Sequence, residues 1–136
     1  MPYQLNFSQK HRYDSLETGI ALEVVLLYGG SEAHCRAKID TGSQACLFER
    51  SIGEFLGVPI EQGLRREFAT LTGTLTAFGH EVVLESLGLQ LQSFVYFAES
   101  AAIKRNLLGR HGWLQLLKVG FIDYESEIYL GLYDES

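Results

Sequence analysis

The chain has 136 residues, of which 46% are apolar and 21% charged; this suits one domain with its own core and excludes the charge-rich composition of a disordered segment. A net charge of −6 argues against a broad electrostatic grip on nucleic acid or on anionic membranes. The opening MPYQLNFSQKHRYD lacks a secretory pattern, and the longest apolar run, 20–28, is interrupted by Glu23 and is far shorter than the ~20 residues of a spanning helix, so a soluble, cytoplasmic protein is expected.

Residues 1–18 show no assignable pattern and are read as an N-terminal extension of unclear role, preceding a domain over 19–136. The segment IALEVVLLY is rich in Val and Leu, and Gly29-Gly30 leads from it into EAHCRAKI. There Ala33, Cys35, Ala37 and Ile39 alternate with Glu32, His34, Arg36 and Lys38, which predicts a strand with one wet face and a hairpin whose exit is Asp40. Ile52, Phe55 and Leu56 stand at helical spacing, with Gly57 placed to cap and Pro59 to forbid continuation, so a short helix follows.

From Leu64 to Ala98, threonines, valines and aromatics around Gly73 and Gly88 predict two successive hairpins. The tip of the first, TLTGTLT, carries few large apolar side chains and is expected to stand away from the core. Leu114, Leu116 and Leu117 suggest a second short helix beginning near Gly109 or Arg110, and VGFID and EIYLGLY suggest a closing hairpin. The tail Asp134-Glu135-Ser136 reads as a frayed, solvated end.

Cys35 and Cys46 have no metal-ligand spacing and read as buried apolar residues. His34 belongs to a charged strand face, while His11, His80 and His111 share no spacing that suggests a metal site. Trp113, with Leu114 and Leu117, reads as core.

The stretch KIDTGSQACLF places a carboxylate where the alternating strand ends. Asp, Gly and Ser are ordinary turn residues, so DTGS alone is a weak signal. Three further features accompany it in order: a helix ending FLGV at 55–58, a glycine-centred hairpin at Thr72-Gly73-Thr74, and RNLLGRHGWL at 105–114. With these features, over about Gly19 to Leu130, the chain resembles the retroviral-like (retropepsin-type) aspartic proteases, and especially bacterial single-domain members of that group.

The resemblance implies a mainly β, closed-barrel acid protease fold with two short helices, acting as a homodimeric aspartic endopeptidase on polypeptide substrates. It implies no cofactor, metal, nucleic acid or membrane. Hydrolysis of a peptide by activated water needs a base and an acid, and two carboxylates sharing one proton supply both. Asp40 is then the catalytic residue, one from each chain across a twofold axis. In the active-site turn, Thr41 bonds across that axis, Gly42 lets the backbone approach the carboxylate, and Ser43 donates to the outer carboxylate oxygen. Thr72, Gly73 and Thr74 form the flap, and Leu107, Leu108, Gly109 and Arg110 support the site.

Two departures stand out. Gln44 occupies a position where retroviral enzymes carry an acid that pairs with the arginine after the LLG motif, which leaves Arg110 without that partner. The chain also ends in a hairpin where retroviral enzymes end in a single strand. The alternative reading is a catalytically inactive protease-like dimerisation or peptide-binding module. A third is an unrelated small β-barrel with a chance DTGS, which requires Asp40 to lie apart from Leu108 and Gly109.

Overall fold

Gly29 and Gly30 adopt φ of 55° and 84°, the left-handed pair that a tight two-residue hairpin turn demands. They join strands β2 (Ala21–Tyr28) and β3 (Ser31–Ile39) in the computed structural model, which describes residues 1–135. The expectation for Ser136 in the tail lies outside the described residues. Ala33 and Ala37 are buried and Glu32, His34, Arg36 and Lys38 exposed, as the period of two requires.

The remaining elements are β1 (Gln9–Arg12), β4 (Leu47–Phe48), helix α1 (Arg50–Leu56), β5 (Leu64–Thr70), β6 (Gly73–Ser86), β7 (Leu89–Ala98), β8 (Leu107–Leu108), β9 (Leu117–Ile122) and β10 (Glu127–Leu132). Seven strands lie in the order β2-β3-β8-β4-β7-β6-β5. The long β6 pairs with β5 through its first half and with β2 through Val83–Ser86, which closes the sheet on itself. The architecture is mainly β and barrel-like, in agreement with the expected class.

Leu22, Val24 and Leu26 of β2, Leu84 of β6, Val95 and Phe97 of β7 and Trp113 fill the interior. Trp113 is fully buried, and its indole N–H donates to the equally buried Ser86 hydroxyl at 3.0 Å, which satisfies both groups in the core. Helix α1 ends at Gly57, where φ is 79° and the amide donates to Glu54. It turns Gly53 and Leu56 inward, and Phe55 is 72% exposed, contrary to its expected place on the apolar face. A Cβ at Gly53 would sit 2.9 Å from the Phe97 ring, so the helix docks through its glycine.

The second expected helix is a single 3-10 turn, Leu114–Leu116. Leu117 is already the first residue of β9, paired with Leu132, and that ladder ends the turn. β9 and β10 form the expected closing hairpin, and β1, within residues 1–18, pairs with the other edge of β10. Ile128 and Leu130 anchor this three-stranded sheet in the barrel core. Glu127, almost fully buried, accepts from Lys10 at 2.9 Å and from the Tyr129 hydroxyl at 2.9 Å, and these donors hold its carboxyl down at about 2. No helix among the described residues is long and apolar enough to cross a membrane.

Candidate active site

The turn after β3 is fixed by its neighbour β8. The two run parallel, Lys38 beside Leu107 and Ile39 beside Leu108, and the Asp40 amide donates to the Leu108 carbonyl at 2.9 Å. The chain then folds back: the Ser43 amide donates to the Asp40 carbonyl at 3.1 Å, and the amides of Arg110 and His111 donate to the carbonyls of Ser43 and Gln44 at 2.9 and 2.8 Å. β8 thus inserts between β3 and β4 and takes up the backbone groups of the turn.

This crossing explains Gly109. A Cβ there would lie 2.2 Å from the Ala45 carbonyl oxygen and 2.8 Å from that of Ser43, so no side chain fits. Asn106 adds a second clamp, accepting from the Glu49 amide at 3.0 Å while its own amide donates to the Arg36 carbonyl at 3.0 Å. Asp40 thus lies beside Leu108, where the reading of an unrelated barrel with a chance DTGS requires the two to lie apart.

The half-buried Asp40 accepts through Oδ1 from the Gly42 amide at 3.0 Å. A Cβ at Gly42 would stand 3.3 Å from that same oxygen. Thr41 and Gly42 are exposed at the apex of the turn. Ser43 differs from expectation: its hydroxyl donates to the Ala45 carbonyl at 2.7 Å, so its single proton serves the turn backbone and not the carboxylate. Cys46 lies beneath, fully buried, and burial pushes its thiol up to about 11; the same cause raises Cys35 to about 11. Both stay protonated and inert as nucleophiles at neutral pH.

The β5–β6 hairpin stands over the turn. Its base is packed, with Phe68 edge-on to Tyr96 at 5.3 Å and Leu75 against Ala45, Ala77 and Tyr96. Its tip is not glycine-centred as expected: Thr70 pairs with Gly73, and Leu71 and Thr72 make the turn. The Thr70 hydroxyl sets this position by accepting from the Thr72 amide at 3.3 Å and donating to the Gly73 carbonyl at 2.9 Å. Gly73 has φ of 141°, and Leu71 is completely exposed.

Between hairpin and turn lies a cavity of 380 Å³ lined by 42–45 of the turn and 66–70 of the hairpin, and also by Arg105 and Leu107. Asp40 lines an adjoining cavity of 580 Å³, and the two share Arg105 and Leu107. Gln44 accepts from Arg66 of β5 at 3.0 Å, which is the contact its neutral amide makes here. Among the described residues the Arg110 side chain forms no ion pair and is exposed, so its part in the site is confined to the backbone. Sequence reasoning overlooked Arg66 and Arg105. The signal for Arg66 was its alternation with Phe68 on β5, which puts both on one face.

No protein-family model matches the sequence, and no curated protein matches it. Among solved structures the chain is similar to the EIAV protease complexed with the inhibitor HBY-793, with a TM-score of 0.54 and 17% identity, over 70% of this chain and 85% of that one. At that identity the likeness shows the fold, which is that of a retroviral protease.

Proposed function

We propose that this chain is an aspartic endopeptidase of the bacterial retropepsin type, completed by homodimerisation. The observation that carries the reading is the Asp40 turn, pinned by β8 and facing a cleft roofed by the β5–β6 hairpin. The chain has one DTGS, so a complete site takes a second copy, and the exposed apex at Thr41 and Gly42 is the surface such a copy would meet.

In the dimer two Asp40 carboxylates share a proton. The ionised one takes a proton from water as its oxygen attacks the scissile carbonyl carbon, and the protonated one gives its proton to the carbonyl oxygen. Collapse of the resulting diol breaks the C–N bond, with a proton delivered to the leaving amine. Thr41 would brace the two turns across the axis. The hairpin around Thr72, Gly73 and Thr74 closes on the substrate, which is held as an added strand with its main chain hydrogen-bonded above and below.

Cleavage of a peptide library by the purified chain, with Asp40→Asn alongside, tests the reading. Asn has nearly the same shape but cannot accept the water's proton, so cleavage should vanish while the dimer and the melting temperature persist. Near wild-type cleavage by the variant would remove Asp40 from the mechanism. Peptide binding without cleavage by the wild-type chain would establish the binding-module alternative instead.

A further inference from the structure

We propose that the cleft selects extended peptides bearing an acidic side chain, received by Arg66 of the roof together with Arg105; this rests on the peptidase reading and names its substrate class. Arg66 and Arg105 both line the 380 Å³ cavity, together with apolar Leu47, Phe68 and Leu75. The Arg66 guanidinium carbon lies 4.6 Å from the centre of the Phe68 ring and 5.6 Å from that of Tyr96. Among the described residues its one hydrogen-bond partner is the neutral Gln44 amide oxygen at 3.0 Å, which leaves most of its donors for a ligand.

Charge accounting in the cavity points the same way. Arg12, Arg36, Arg50 and Arg65 each have a carboxylate within ion-pair range. Among the described residues Arg66 and Arg105 have none. The one carboxylate lining this cavity, Glu67, is engaged by Arg65 at 3.0 Å. In a chain of net charge −6 the cleft therefore carries local positive charge beside an apolar wall. A planar guanidinium positioned against aromatic rings, with donors to spare, suits a two-pronged bond to a carboxylate, and that bond strengthens when the peptide excludes water. An extended peptide turns alternate side chains to this wall, so the preference belongs to particular positions in the substrate.

The test measures binding on the Asp40→Asn chain, which separates recognition from turnover. Peptide sets carrying Glu, Gln or Ala at each position within four residues of a central apolar pair are titrated by fluorescence anisotropy. At one or two positions Glu should bind about tenfold or more tightly than Gln, the ordinary advantage of a charge-assisted hydrogen bond, and the ratio should shrink as salt rises. Arg66→Met, which keeps the packing on Phe68 and Tyr96, should bring the Glu-to-Gln ratio near one. Arg66→Lys, a second variant in case the first does not fold, should leave an intermediate ratio because charge survives without the fork. A ratio within twofold at every position, or one unaltered in a folded Arg66→Met chain, overturns the proposal. A wild-type chain that binds Glu peptides selectively but cleaves none would keep the acidic preference and overturn the peptidase reading.

Discussion

The floor and the roof of the cleft face the same groove, yet they are held in opposite ways. In the floor, β8 threads between β3 and β4, the amides of Asp40, Ser43, Arg110 and His111 all have backbone acceptors, and Gly109 presses on Ala45 with no room for one more carbon. In the roof, only the base of the hairpin is packed, through Phe68 and Leu75; the tip carries an exposed Leu71, and nothing lies within 4 Å of a Cβ built at Gly73. For the proposed peptidase this would fix position where the carboxylate must be aimed and leave freedom where a peptide must enter. The floor should therefore fail through stability and the roof through turnover.

The sharpest break falls on the floor. Gly109→Ala puts a methyl group against two carbonyl oxygens, and backbone cannot swing aside as a long side chain can. A loss of about 3 kcal/mol is expected, seen as a fall of about 10 °C in melting temperature together with loss of cleavage. A folded Gly109→Ala chain with unchanged melting would mean that the crossing of β8 is looser than described. Gly73→Val in the roof has open space around it but a φ of 141° that a β-branched residue resists. Its cost should be about 1 kcal/mol in stability, against a fall of up to about a hundredfold in kcat/KM as the closed hairpin is misplaced. Equal turnover per folded chain would place Gly73 in the scaffold. The smallest effect belongs to Leu71→Ser at the tip: stability should stay within about 0.5 kcal/mol, measured by urea unfolding, because the side chain is fully exposed.

The contrast also shows what a sequence reader can reach. The Asp40 turn, the Gly29-Gly30 hairpin, the helix stop at Gly57 and the closing hairpin are local: each is written in a period of two, a glycine with positive φ or a proline, and each stands where expected. β4 and β8 span two residues each, too few for any periodicity, and exist because parallel neighbours pair with them. β1 reads QKHR, without one apolar side chain, and is a strand because β10 offers it an edge and because Glu127 binds Lys10. The second helix gave way to a 3-10 turn because Leu117 is committed to the β9–β10 ladder, a partner far along the chain. Within the site, Ser43 and Gln44 took partners that no spacing encodes, the Ala45 carbonyl and Arg66.

The account turns on one carboxylate per chain acting across a twofold axis, and the most direct measurement follows sedimentation and peptide cleavage over the same range of protein concentration. Activity per chain should fall in step with the dimer as it dissociates, and Asp40→Ala chains mixed with wild type should depress activity by forming dimers with half a site. Full activity per chain from a species that sediments as a monomer would contradict the shared site and send the search to a second carboxylate within the single chain.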